Sequence, residues 1–322
     1  MQNLTEEICS IDNIQLSVLP IKYPKIWQAY KTQLAAFWTA EEIDLSKDYN
    51  DFEKLNKDEQ HFISNILGFF SASDTLVNIN LTENFINSVT IREAIITWQF
   101  QVMIENVHSE TYSLFIDNLI KDSDEKEKLL NAVHHIPCIK EKMEWVMKWI
   151  NSDDRIGKKL IANAILEGVF FSGSFCAIFW LKQRNLMPGL TQANSLIARD
   201  EGAHMEFACL MYSMIREKES EETVYQMIDD AIEIERKFIT ESLPCRLIGM
   251  NSDMMINYIK FVADKLLEKL GYNRYYQIEN PFPWMENISL ENKSNFFDVR
   301  ASEYQHAYVN NQNKEFNIEE DF

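Results

Sequence analysis

Proline is missing from Lys25 to His135 and again from Cys138 to Met187. No residue interrupts helical hydrogen bonding more strongly, so both stretches are free to run as long helices. Glycine, the other common interrupter, occurs only 8 times in 322 residues, well below the about 7% of average usage. Apolar residues recur at helical spacing and predict helices over 26–37, 57–85, 91–120, 139–150, 154–184, 192–217, 222–240 and 252–270. No repeat and no strand-like alternation competes. Asn185-Leu-Met-Pro-Gly189 breaks the pattern, and Thr191 is expected to cap the helix that follows. The expected fold is all-α. Residues 1–24 read as an irregular lead-in, 25–270 as a helical domain, and 271–322 as a polar C-terminal segment ending in a flexible tail.

The formal net charge of −19 argues against nucleic acid as a partner, because gripping phosphates needs clustered Lys and Arg. No glycine-rich loop of the phosphate-cradling type occurs either. The five cysteines, Cys9, Cys138, Cys176, Cys209 and Cys245, are odd in number and contain no Cys-x-x-Cys pair. They read as reduced thiols, and no basic stretch followed by an apolar run opens the chain, so a cytoplasmic location is expected. Ile161 to Leu181 is nearly long and apolar enough to span a bilayer. It carries Glu167 in its first third, however, where a carboxylate in lipid is costly. A central helix buried on all sides is the better account, and no membrane contact is expected. Glu167 then needs a partner inside.

Two predicted helices contain Glu-x-x-His: Glu105-Asn-Val-His108 and Glu201-Gly-Ala-His204. Residues three apart share a helical face, so each pair can offer a carboxylate oxygen and an imidazole nitrogen to one metal ion. Alone the motif is weak, and Asp58-Glu-Gln-His61 and Glu303-Tyr-Gln-His306 are decoys of the same kind. The arrangement around the two helical pairs is stronger. Each is preceded by an acid on an apolar helix, Asp74 and Glu167, at distances that suit an antiparallel return. A carboxylate helix, a Glu-x-x-His helix, then the same again is the ligand pattern of ferritin-like bundles with a dimetal-carboxylate site in the core. Four carboxylates buried together would repel and protonate unless divalent cations neutralised them. Mixed carboxylate and imidazole ligands suit iron or manganese. Tyr112, one turn past His108 on nearly the same face, points toward the site as either a packed core tyrosine or a one-electron donor.

Five stretches in order carry a resemblance over nearly the whole chain. They are Phe37-Trp-Thr-Ala-Glu-Glu-Ile-Asp-Leu-Ser-Lys-Asp48, Glu105-Asn-Val-His-Ser-Glu-Thr-Tyr-Ser-Leu114, Glu167-Gly-Val-Phe-Phe-Ser-Gly-Ser-Phe175, Ala198-Arg-Asp-Glu-Gly-Ala-His204 and Met285-Glu-Asn-Ile-Ser-Leu290. With them the chain closely resembles the small, radical-bearing subunit of class I ribonucleotide reductase, of the eukaryotic and large-DNA-virus type. The resemblance implies that Asp74, Glu105, His108, Glu167, Glu201 and His204 hold two iron ions per chain, with manganese the alternative. It implies that O2 is activated there and that Tyr112 is oxidised to a stable radical inside an apolar pocket of Phe171, Phe175 and Ile197.

By the same resemblance, Trp38, Asp200 and His108 conduct the oxidising equivalent outward, and Tyr304 relays it. The peptide from Phe316 to Phe322 docks on a large catalytic subunit, which reduces ribonucleotides, and the small subunit is a homodimer. An Asp beside a metal-bound His also has an independent rationale, because it fixes the imidazole orientation. Departures from the common pattern are Thr75, Ile79, Ala203, Met205 and Trp284, none of them a proposed ligand. A related di-iron oxidase would use the same ligands but leaves Trp38, Tyr304 and the tail without a role. Iron storage or a non-enzymatic scaffold would predict a cage with many irons per chain.

Overall fold

A computed structural model describes residues 6–242 and 251–285. The described residues contain helices and no strand. After two single turns, Glu7–Cys9 and Ile11–Asn13, the helices are α1 (Pro24–Ala35), α2 (Asp48–Phe52), α3 (Lys57–Asn80), α4 (Arg92–Leu119), α5 (Ser123–Leu130), α6 (Ala132–His135) and α7 (Pro137–Ile150). Then follow α8 (Ile156–Ile165), α9 (Ser172–Gln183), α10 (Pro188–Ser213), α11 (Glu221–Ser242) and α12 (Ser252–Leu270). Two further segments have the wider π-helical winding: Leu81–Ile86 after α3, and Leu166–Phe170 between α8 and α9. The described residues up to Phe282 belong to one compact unit, and Pro283 opens a second.

The helices start where the sequence supplies partners for orphan amides. Asn56 and Glu59 form a reciprocal capping box at the head of α3, with bonds of 2.9 and 3.0 Å. Prolines stand in the first turn of α1, α7 and α10, where their missing N–H costs nothing. Gly271, at φ 91°, closes α12 in the left-handed region. Thr191 is not a cap, contrary to expectation: α10 begins at Pro188, and the Thr191 hydroxyl bonds back to the Pro188 carbonyl at 3.2 Å. The cap comes from far away in sequence. The buried Asp48 carboxylate accepts the Gly189 and Leu190 amides at 2.9 and 2.6 Å. Gly189 permits that approach, because a Cβ there would stand 2.5 Å from the Asp44 carbonyl oxygen.

The helix bounds shift elsewhere too. The run over 154–184 is not one uniform helix, since its turn at 166–170 is π-helical, as is the end of the run over 57–85. Periodicity over a long window averages one inserted residue away. The polar stretch before 136 carried no prediction, yet α5 forms there, capped by the Asp122 side chain, with Leu129 as its one buried residue. α7 reaches back to Pro137.

α3 packs along α4 and α8 along α10, while α4 touches α10 and closes the four-helix core. α7 and α11 cover α3, and α12 lies on α8 and α9. The apolar stretch Ile156–Gln183 is long enough by composition to cross a membrane, but it lies almost wholly inside the fold. Cys9, Cys138, Cys176 and Cys209 are buried thiols, and Cys245 lies outside the described residues.

Candidate metal centre

Four neighbouring segments converge on the middle of the core. α3 brings Asp74, α4 brings Glu105 and His108, the second π-turn brings Glu167, and α10 brings Glu201 and His204. Each side chain is buried, with 3% or less of its surface exposed. Glu105 and Glu201 stand between the two imidazoles. His108 Nδ1 lies 3.3 Å from Glu105 Oε2 and 3.1 Å from Glu201 Oε1. His204 Nδ1 lies 2.8 Å from Glu105 Oε1 and 2.9 Å from Glu201 Oε2. Each of these carboxylates therefore faces both histidines, which is the disposition of a bridging ligand.

Glu105, Glu167, Glu201 and His204 present ligand atoms all within 4.8 Å of one another. His108 joins this group through Glu105 and Glu201, the two carboxylates it faces. Asp74 falls outside the four; its Oδ1 accepts from Ser73 Oγ at 3.2 Å. Asp74 Oδ2 and both Glu167 oxygens are buried without a hydrogen-bond partner.

Burial pushes the Asp74 carboxyl well above its ordinary range, and the neighbouring Glu105 adds to it. Burial does the same to Glu167, reinforced by Glu201 and Glu105. For the histidines, burial alone would lower the pKa. The surrounding acids outweigh it, raising His108 well above its ordinary value and His204 to about 10. Protons thus substitute for positive charge in a cluster of acids that cannot all ionise together.

The residues present fit two divalent cations. Three oxygens of Asp74 and Glu167 lack partners, and Glu105 and Glu201 each face both imidazoles. His108 Nε2 lies 3.2 Å from Asp200 Oδ2; with the proton there, Nδ1 keeps its lone pair toward the cluster. The donor set, oxygen with imidazole nitrogen and no thiolate, is that of iron or manganese.

Tyr112 is buried on α4, and its hydroxyl has no hydrogen-bond partner. Burial, then the charges of Asp74, Glu201 and Glu105, hold its pKa well above that of a free tyrosine. Its ring stacks on Phe70, centroids 4.5 Å apart and planes at 15°. Phe70 in turn contacts Phe175 at 5.2 Å and Phe171 at 5.7 Å. Trp38, in the segment after α1, donates its indole N–H to Asp200 Oδ2 at 2.8 Å. Its ring lies over that of His108, 5.9 Å between centroids. The same carboxylate oxygen thus links Trp38 to His108.

A sequence description of the ribonucleotide reductase small chain matches residues 15–281. The chain belongs to the ribonucleotide reductase small-chain family. The small chain of Nicotiana tabacum is 52% identical over 311 residues, covering 95% of this chain and 94% of its own length. That of Vaccinia virus (strain Ankara) is 53% identical over 306 residues, covering 95% and 96%. Among solved structures, the ribonucleotide reductase Rnr4 homodimer of Saccharomyces cerevisiae superposes with a TM-score of 0.79 at 37% identity, covering 89% of this chain and 92% of that one. The expected resemblance and the expected ferritin-like all-α bundle both hold.

Two contacts of this ribonucleotide reductase small chain carry no motif in its sequence. Phe70, not Phe171 or Phe175, is the ring stacked on Tyr112; its signal was position, one helical turn before Asp74 and on the same face. Ile197 is buried on α10. Arg199 donates to Asp200 Oδ1 at 2.9 and 3.1 Å and to the Ala36 carbonyl at 2.7 Å. It ties the Trp38 segment to α10, and its only sequence signal was adjacency to Asp200. Tyr304 and residues 316–322 lie outside the described residues.

Proposed function

We propose that the chain, as a ribonucleoside-diphosphate reductase small subunit, stores an oxidising equivalent on Tyr112 and passes it through Trp38 to a separate large subunit that reduces ribonucleotides to deoxyribonucleotides. The observation that carries this reading is a phenol with no hydrogen-bond partner, sealed against Phe70 beside a cluster of unpartnered buried carboxylate oxygens. Asp74, Glu105, His108, Glu167, Glu201 and His204 would hold two ions, iron or alternatively manganese. Reduced ions of this kind, when bound, supply the oxidising power of O2 to an adjacent phenol.

The chain's own residues do the rest. Tyr112 gives up one electron and its hydroxyl proton, and Asp74 is the carboxylate whose charge acts most strongly on that phenol. Phe70 and the rings behind it exclude water and reductants from the oxidised phenol. Asp200 holds the Trp38 N–H and the His108 ring on one oxygen, so movement of charge between them needs no rearrangement. Tyr304 is the expected relay beyond Trp38, and the peptide 316–322 the expected anchor on the large subunit. A homodimer in the cytoplasm is expected, in line with the homodimeric Saccharomyces relative.

The test is to load the metal-free protein with Fe(II), admit O2 and record the electron paramagnetic resonance spectrum. A tyrosyl signal is expected, and Tyr112→Phe should lose all of it while retaining both metal ions. An undiminished signal in that variant sinks the assignment. With a large subunit and a ribonucleoside diphosphate added, deoxyribonucleotide should form; its absence with every partner tried points to an oxidase instead.

A further inference from the structure

We infer that Lys142 and Glu235 are positioning residues for Glu167, acting through the carbonyl of Phe170 rather than through any contact with the metal cluster. Lys142 on α7 and Glu235 on α11 are both wholly buried, with Nζ 2.6 Å from Oε2. The ammonium also donates to the Phe170 carbonyl at 2.9 Å and lies 3.5 Å from the Phe69 ring centroid and 4.1 Å from that of Phe238.

Stability does not explain the pair. Desolvating two charges can exceed their mutual attraction, and well-packed apolar residues in their place are often as stable or more so. What an apolar side chain cannot do is hold a carbonyl oxygen. That carbonyl ends the π-turn Leu166–Phe170, which carries Glu167. A π-turn adds a residue to the helical winding, so the regular repeat of α8 and α9 does not by itself fix where Glu167 points.

Contacts from outside the helix restrain the turn on several sides. Lys142 holds its last carbonyl. Glu235 sits against the start of α9, where a Cβ on Gly173 would stand 3.0 Å from Oε1. On another side Gly168 lies against α10: a Cβ there would be 2.9 Å from Cγ of Met205, the residue after His204. The Phe69 ring under the ammonium adjoins Phe70, which stacks on Tyr112. One buried charge therefore fastens the segment bearing Glu167 to the segment bearing Asp74 and the tyrosine's stacking partner.

This inference rests on the reading of Glu167 as a ligand, and the experiment separates the two. Metal-free wild type, Lys142→Met and the double variant Lys142→Met with Glu235→Leu are titrated with Co(II), followed by visible absorption, and melted without metal. The single variant should melt lower, since it strands a buried carboxylate. The double variant should regain the wild-type melting temperature yet bind Co(II) about tenfold more weakly, with an altered absorption band, as loss of outer support for a ligand does. A double variant that recovers both melting and Co(II) binding overturns the inference, and so does one that fails to fold, because the pair would then serve the fold alone. If wild type binds fewer than two Co(II), the ligand reading itself falls, and this inference with it.

Discussion

Two kinds of buried acid coexist in this bundle. Asp48 and Asp264 are wholly buried, and each is answered by backbone amides: Gly189 and Leu190 for the first, Tyr275 and Tyr276 at 2.8 and 2.9 Å for the second. Asp74 and Glu167 are almost as deeply buried, at 1% and 3% exposure, yet three of their four oxygens have no hydrogen-bond partner. Burial alone therefore does not mark function here. The first pair is closed, each carboxylate capping a turn or a helix start. The second pair is open, and it faces two other carboxylates. An open buried acid costs several kcal/mol unless something absent from the protein chain satisfies it, and that cost is the physical reason to place cations among these residues.

The contrast can be broken most directly at Glu167. Glu167→Gln should weaken metal binding by about 100-fold, while the metal-free variant melts at or above the wild-type temperature, because it has lost a carboxylate that nothing answered. Calorimetric titration with Mn(II) and a melting curve measure the two effects. A variant that melts well below wild type would put Glu167 with the closed acids.

The pH dependence follows from the raised Asp74 and Glu167 carboxyls. A carboxyl whose pKa is higher in the folded than in the unfolded state binds protons more tightly when folded, so its stabilisation is complete at low pH and lost as pH rises through the folded value. The metal-free protein should lose melting temperature as pH rises above the ordinary carboxylate range, and saturating Mn(II) should flatten that fall. A flat metal-free profile would mean the two acids are answered after all.

Substituting a closed acid should instead cost stability and leave metal binding alone. Asp264→Ala leaves the Tyr275 and Tyr276 amides without their acceptor and is expected to cost about 1–3 kcal/mol in urea unfolding, with metal stoichiometry unchanged. The smallest effect belongs to Asp48→Ala, which removes the cap of α10 and should cost about 1–2 kcal/mol. If either variant loses metal in proportion to stability, the division between the two kinds of acid fails.

Much of this was legible in the chain. The long helices follow from missing proline and 3.6-residue periodicity, both local properties, and Glu105 with His108 and Glu201 with His204 share faces by spacing alone. The partners that come from elsewhere were not legible. Thr191 was the local choice for capping α10, and Asp48 took the role because folding brought a buried carboxylate to the Gly189 amide. Phe70 stacks on Tyr112 across two helices, and Arg199 reaches the Ala36 carbonyl; spacing puts Phe70 on the face of Asp74 but names neither partner.

The sequence by itself determined the helical class, the two Glu-x-x-His pairs with their preceding acids, and the family, because periodicity, three-residue spacing and motif order are all written along one chain. Only the tertiary structure decided which buried acids are open and which are closed. A carboxylate's state depends on the atoms that surround it, and for Asp74, Glu167, Asp48 and Asp264 those atoms come largely from other segments. The π-turn under Glu167, held by a lysine from α7, belongs to the same category. It takes a neighbour from outside the helix to fix a winding that local sequence leaves free.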